Sequence, residues 1–168
     1  MKIIRDNDLI RQAIRQYDID SFFDNMDMDF FLVNYEKGDF LRTPLHNTDW
    51  MQIVLSGIVS IYYIREDGTM YSVAHGSGHS RIGEFESFVQ KEVPLYSEAC
   101  SDVATLAFSV TRYREQLLND RRFMRSTIQN MAETIYSLTE HSIQIPPLNE
   151  LEKEGTLKEL GKGTFCLQ

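Results

Sequence analysis

Apolar positions near the N-terminus recur with the period of a helix. They are Leu9, Ile10, Ala13, Ile14 and Tyr17. Such spacing places all five on one face of a helix, so the pattern predicts an amphipathic helix over residues 7–17. Asn7 or Asp8 is predicted to cap it, because a short polar side chain can accept a hydrogen bond from the free N–H groups of the first turn.

From residue 30 to residue 108 the helical period gives way to short apolar runs that turn residues separate. The runs are Phe30–Val33, Ile53–Leu55, Ile58–Ile64, Met70–Val73 and Val103–Phe108. Several short strands at this spacing predict an all-β sandwich or barrel. Asp67-Gly68 predicts a tight hairpin within this segment, since glycine tolerates the positive φ that a sharp reversal requires.

The helical period returns after residue 108, with apolar positions spaced 4, 3, 4 and 3 residues apart. They are Met124, Ile128, Met131, Ile135 and Leu138. This a/d spacing over about two heptads fits a helix that packs on its own domain, and it also fits a helix that pairs with a second copy. The heptad regularity favours the dimer. Pro146-Pro147 ends the helix, because proline cannot donate to the i−4 carbonyl.

Length and charge limit the classes of protein that this chain can be. At 168 residues it can bury one good core, and its net charge of −8 excludes a broad nucleic-acid surface. Any contact with DNA must therefore come from a local patch. No apolar run approaches the roughly 18–20 residues that a membrane span needs, so we expect a cytoplasmic protein without a membrane partner.

Enzymatic and metal sites find no support in the residues. The glycine spacing of Gly78 and Gly83 matches a phosphate-binding loop, but Glu84 and Phe85 replace the lysine and hydroxyl that such a loop needs. His75 and His79 lie four residues apart with no third histidine nearby, and Cys100 and Cys166 form no metal-spaced cluster. We therefore expect no catalytic residues, no metal and no bound cofactor.

The order of these elements, together with a set of short motifs, resembles the sensor half of Crp/Fnr-type transcription regulators. The motifs are Tyr35-x-Lys37-Gly38-Asp39-Phe40, Leu55-x-Gly57-x-Val59-x-Ile61, Glu66-Asp67-Gly68, Gly83-Glu84 and Ala99-x-x-Asp102-Val103. The resemblance covers roughly residues 7–143. It implies a mainly β fold with flanking helices, in which a cyclic-nucleotide-binding-like β-roll (a jelly roll, or double-stranded β-helix) precedes a long dimerisation helix.

The resemblance also implies a division of the chain into three parts. Residues 1–118 would form the effector-sensing β-roll with its N-terminal helix, and residues 119–145 the dimerisation helix. Residues 146–168 are similar to the β-wing of a winged helix-turn-helix domain. The chain has no room between His141 and Leu148 for the helix-turn-helix itself. Either this protein lost that segment or the full protein contains it; we expect the second, because a wing without its recognition helix has no evident use.

Gly83-Glu84 resembles the start of the cassette that binds the phosphate of a cyclic nucleotide in this family. The resemblance implies an effector site at Gly83, Glu84, Phe85, Tyr96 and Ser97. The arginine that clamps the phosphate should fall near Val93–Ser97, and the chain has none there. Arg81 precedes the turn, and a residue there is expected to point away from the pocket. We therefore expect a small effector other than cAMP, or none.

The implied function is that of a DNA-binding transcription regulator that works as a homodimer and is not an enzyme. Lys158 and Lys162, near the wing turn, would contact the DNA backbone and position the protein on it. A stand-alone cyclic-nucleotide-like binding or interaction module without DNA binding is the alternative.

Overall fold

The computed structural model describes residues 1–44, 49–84, 88, 94–143, 157–161 and 164–167. The chain divides into two compact units, Met1–Met131 and Ala132–Gln168. Phe85 lies outside the described residues. So do Lys162 and the side chain of Leu138.

Eleven strands and three longer helices make up the described part of the chain. In chain order they are β1 Lys2–Ile4, α1 Asn7–Gln16, β2 Phe31–Tyr35, β3 Phe40–Arg42, β4 Trp50–Ser56, β5 Val59–Ile64, β6 Met70–Gly76, β7 Arg81–Ile82, β8 Tyr96–Ala99, β9 Val103–Ser109, α2 Val110–Asn119, α3 Arg121–Ile143, β10 Leu157–Gly161 and β11 Thr164–Leu167. A 3₁₀ turn, Ile19–Phe22, follows α1. The predicted β-roll fold with flanking helices and a long helix is confirmed.

Two antiparallel sheets form the β-roll. One has the order β1-β2-β9-β4-β7 and the other the order β3-β8-β5-β6, while β10 and β11 pair separately as a hairpin. The five-stranded sheet has a core on each face. Met51, Ile53 and Phe123 belong to the core that includes helical residues, whereas Val54 and Val59 belong to the core that includes residues of both sheets. Strand β4 is therefore buried on both faces, which accounts for its nearly continuous apolar sequence.

The structure corrects the predicted elements in two places. Helix α1 is capped by Asp6 and not by Asn7 or Asp8: Oδ1 of Asp6 accepts hydrogen bonds from the N–H groups of Asp8 at 2.9 Å and Leu9 at 3.1 Å. Four short strands, β1, β3, β7 and β8, did not stand out in the sequence, because two to four residues are too few to show a period. The predicted hairpin between β5 and β6 is confirmed, with Gly68 at a φ of 83°.

A reciprocal pair of aspartates joins the N-terminal segment to the start of α3. Asp120 accepts from the N–H of Phe123 at 2.9 Å through Oδ1, and from the N–H groups of Asp24 at 2.8 Å and Asn25 at 3.0 Å through Oδ2. Oδ2 of Asp24 in turn accepts from the N–H of Arg121 at 3.1 Å. Because Asp120 is buried, water cannot readily replace these bonds.

Replacing Asp120 with alanine is expected to lower the free energy of unfolding by about 2 kcal/mol, since a helix cap is lost and three N–H groups lose their acceptor. Urea denaturation would measure the loss. Asp8→Ala is the matched control, because Asp8 is an exposed aspartate in the first turn of α1, and it should change stability by less than about 0.5 kcal/mol. Equal losses in the two variants would contradict the role assigned to Asp120.

Candidate functional site

The turn that follows β7 can be made only by glycine. Strand β7 pairs with β4, and the chain then reverses at Gly83 with a φ of 90°. A Cβ on Gly83 would lie 2.7 Å from the carbonyl oxygen of Trp50 and 3.0 Å from Nη1 of Arg42. The turn therefore presses directly on the backbone of β4, and it sets the position of Glu84, the next residue.

Arg81 and Glu84 flank this turn and form a buried ion pair. Nη1 of Arg81 lies 2.6 Å from Oε1 of Glu84, and each side chain is only 4% exposed. Removing either residue would leave the charge of the other buried without compensation, which is strongly destabilising.

Three side chains of α3 complete the hydrogen bonding of the pair. Arg81 donates from Nη1 to Oγ1 of Thr127 at 3.1 Å and from Nη2 to Oγ of Ser126 at 2.7 Å. Nδ2 of Asn130 donates to Oε2 of Glu84. Positions 126, 127 and 130 lie near one another on the helix surface, so one side of α3 faces the turn. We call these five residues the latch.

Two aromatic rings lie against the guanidinium of the latch. Cζ of Arg81 is 5.1 Å from the ring centroid of Phe22 and 5.5 Å from that of Phe123, which is within the range of cation–π attraction. Phe123 is fully buried and stacks on Phe23 at a centroid distance of 5.5 Å. The rings keep water from the guanidinium, which strengthens its interaction with Glu84.

Arg81 is expected from the sequence to point away from the effector site, but its side chain turns toward Glu84, one of the predicted effector residues. Arg81 pairs across the sheet with Ile53, a residue of the core on the helical side, so its side chain lies on the face that α3 covers. Of the other predicted effector residues, Tyr96 and Ser97 lie on β8. On β8, Ser97 is buried opposite Arg42, whereas Tyr96 stacks on Tyr62 with centroids 5.5 Å apart. Successive strand residues point to opposite faces, so Tyr96 and Ser97 face different sides of their sheet.

A polar cluster that the sequence did not reveal lies in the buried interior of the β-roll. Oε1 of Gln52 accepts from the hydroxyl of Tyr35 at 2.7 Å and from Oγ1 of Thr105 at 3.0 Å, while its Nε2 donates to the carbonyl of Leu41 at 3.3 Å. Burial raises the pKa of Tyr35 to about 12. These groups satisfy one another, so the cluster ties β2, β3, β4 and β9 together.

Among the described side chains of α3, those most deeply buried lie outside the predicted heptad. Phe123 and Thr127 are fully buried, whereas the heptad residues Ile128 and Ile135 are 62% and 65% exposed. Met124 and Met131 are half-buried. The helix therefore has two apolar features: a side that packs inward, and a stripe that is largely open.

The remaining candidate residues are only partly described. Lys158 lies on β10 opposite Cys166 of β11. Among the described residues, no three His, Cys, Asp or Glu side chains come close enough to hold a metal ion. The helices within the described ranges include none that is long and apolar enough to cross a membrane.

No protein-family model and no curated protein matches the chain. Several solved structures do match the chain. A variant of CooA from Carboxydothermus hydrogenoformans is 14% identical with a TM-score of 0.59, and the match covers 87% of this chain and 91% of that one. FixK2 from Bradyrhizobium japonicum is 13% identical over 82% of this chain and 91% of its own, with a TM-score of 0.57.

A third match is the sensor domain of the transcriptional regulator DNR from Pseudomonas aeruginosa. It is 19% identical with a TM-score of 0.52, and the match covers 71% of this chain and 78% of that domain. All three are Crp/Fnr-family regulators. At this level of identity the likeness shows the fold, which is the cyclic-nucleotide-binding-type β-roll followed by a long helix.

Proposed function

We propose that this chain is a DNA-binding transcription regulator of the Crp/Fnr type, that it acts as a homodimer, and that it is not an enzyme. The proposal rests on one observation. The turn at Gly83-Glu84 is bound directly to α3, and α3 also presents an open apolar stripe at Ile128 and Ile135. A movement at the turn would therefore change the position of the helix that pairs the two subunits.

The effector of this regulator is proposed to be something other than cAMP. In the family, the cassette glutamate accepts a ribose hydroxyl, but here both carboxylate oxygens of Glu84 already accept from Arg81 and Asn130. Residues 94–97, the described part of the segment where the family places its phosphate-binding arginine, contain no arginine. Gly83, Glu84, Phe85, Tyr96 and Ser97 stay the proposed effector contacts, and a ligand that took the place of either donor to Glu84 would displace Arg81 or Asn130.

The proposed DNA contact is the hairpin of β10 and β11. Lys158 and Lys162 would touch the sugar-phosphate backbone and orient the protein. The base sequence would be read by a helix-turn-helix that the full protein contains between the long helix and this hairpin.

Ile135→Asp is expected to convert the dimer to a monomer, because the variant would place a carboxylate in the apolar contact between two α3 helices. Sedimentation equilibrium would measure the change. Gln129→Asp is the matched control: it introduces the same carboxylate on the same helix, at an exposed position nearly opposite the stripe, and should leave the dimer intact. A wild-type monomer, or an unchanged Ile135→Asp dimer, would contradict the proposal.

The same pair of variants tests DNA binding in cells. Chromatin immunoprecipitation of the wild-type protein should enrich discrete genomic sites, and Ile135→Asp should lose them, since a dimer is needed to hold two half-sites at once. Gln129→Asp should keep them. If the wild-type protein enriches no discrete site, the chain is the stand-alone interaction module and not a regulator.

A further inference from the structure

We infer that the latch holds α3 against the β-roll without any effector, so that the coupling between the cassette turn and the long helix is built into the chain. The inference rests on the proposed function and concerns how that function is regulated. Arg81 and the polar side chains of α3 make this contact from within the chain.

The first argument is that both carboxylate oxygens of Glu84 already accept hydrogen bonds from the chain itself. Oε1 is paired with Arg81 at 2.6 Å and Oε2 accepts from Asn130, while the whole side chain is buried. A sugar hydroxyl that replaced Arg81 would leave the buried guanidinium and the carboxylate without their ionic partners, which is unfavourable. A hydroxyl that replaced Asn130 would remove a contact between the turn and α3.

The second argument is that the latch specifies one position of the helix. Ser126, Thr127 and Asn130 bind to two groups of opposite charge that are themselves held by the turn at Gly83. Shifting α3 by one residue along the β-roll would rotate the positions of its side chains by about 100°. Arg81 and Glu84 would then lose all three of their hydrogen-bonding partners on the helix at once. The latch therefore selects one register of α3 and resists small displacements.

The third argument is that the contact is closed to water. Phe22 and Phe123 lie against the guanidinium of Arg81, and within the described residues no buried side-chain nitrogen or oxygen lacks a hydrogen-bond partner. A site prepared for a polar ligand would leave donors or acceptors that the ligand satisfies. Around this ion pair, the chain satisfies them itself.

Hydrogen exchange tests the inference on the full chain. We compare the wild-type protein with a variant that carries both Ser126→Ala and Asn130→Ala. This variant removes two of the three hydrogen-bonding side chains of α3 and keeps the ion pair between Arg81 and Glu84. Gln129→Ala is the matched control, because it removes a polar side chain from the exposed side of the same helix. Each protein is measured alone and with cAMP or cGMP at millimolar concentration.

We expect the amides of residues 123–131 to be protected in the wild-type protein without ligand, and neither nucleotide to add protection or raise the Tm. In the double variant, exchange of these amides should become faster by about tenfold or more, while the amides of β4 and β9 stay protected and show that the core is folded. Gln129→Ala should behave like the wild type.

Two results would overturn the inference. One is a wild-type helix that becomes protected only when a cyclic nucleotide is added. The other is a double variant whose helix exchanges as slowly as the wild type. A failure of the proposed function can be told apart from a failure of this inference. If the hydrogen-exchange results are as expected but the wild-type protein enriches no genomic sites, the regulator proposal is wrong and the inference about the latch is unaffected.

Discussion

Replacing Arg81 with methionine is expected to lower the free energy of unfolding by about 3–5 kcal/mol. Methionine keeps much of the apolar length of the arginine stem, so the loss does not come mainly from packing. It comes from Glu84, which stays 4% exposed and loses its ionic partner. The remaining donor, the amide of Asn130, cannot compensate a full negative charge in a place where water has little access.

Two further variants separate this cause from others in the same urea-denaturation measurement. Combining Arg81→Met with Glu84→Leu should recover most of the loss, because an apolar pair often replaces a buried ion pair at little net cost. Arg65→Met is the matched control, since Arg65 also lies over an aromatic ring, that of Tyr71 at 4.5 Å, but in solvent. It should cost less than about 1 kcal/mol. A loss that small for Arg81→Met would mean that water reaches Glu84.

The β-roll could be predicted because its long strands have short, mostly apolar sequences separated by turn residues, a pattern that is typical of β-sheet proteins. β4 and β9 are apolar over most of their lengths, and the hairpin between β5 and β6 turns at Asp67-Gly68. Strands β7 and β8 could not be predicted from their own residues. They are two and four residues long, and they exist because β4 and β5 offer them partners. Their stability comes from pairing with strands that are distant in the sequence, and not from their own residues.

The latch could not be predicted, since it depends on a turn geometry that only the folded chain provides. Arg81 and Glu84 stand three residues apart in the sequence, a spacing that predicts contact only within a helix. Here a strand ends between them and Gly83 reverses the chain, which brings the two side chains together. The partners Ser126 and Asn130 come from about 45 residues further along.

The long helix shows both the strength and the limit of a spacing argument. The heptad pattern correctly identified a helix with an apolar stripe through Ile128 and Ile135. It gave no sign of the second, inward-facing side, because Thr127 is polar and Phe123 lies outside the heptad positions. A single periodic pattern describes one face of a helix, and α3 has a second, inward-facing side that does not follow it.

Replacing Gly57 with alanine is expected to lower the free energy of unfolding by at least about 3 kcal/mol. Gly57 joins β4 to β5 with a φ of 90°, a conformation that costs an L-residue about 1–2 kcal/mol. A Cβ there would lie 2.3 Å from the carbonyl oxygen of Asp102 and 2.9 Å from Cα of Val103. Both are backbone atoms, and Val103 is held by its pairing with Tyr35 of β2. The overlap can be relieved only by moving strands that are part of the core.

Gly68→Ala and Gly38→Ala isolate the two contributions to this loss. Both glycines have a φ close to that of Gly57, at 83° and 89°, but neither would bring a Cβ within 4 Å of another group. Their losses should be limited to the backbone term of about 1–2 kcal/mol, and the remainder seen in Gly57→Ala measures the overlap with β9. Thermal unfolding of the three variants supplies the comparison. If Gly57→Ala is no less stable than Gly68→Ala, the turn between β4 and β5 moves freely. The close packing of that turn against β9 would then not be what requires glycine there.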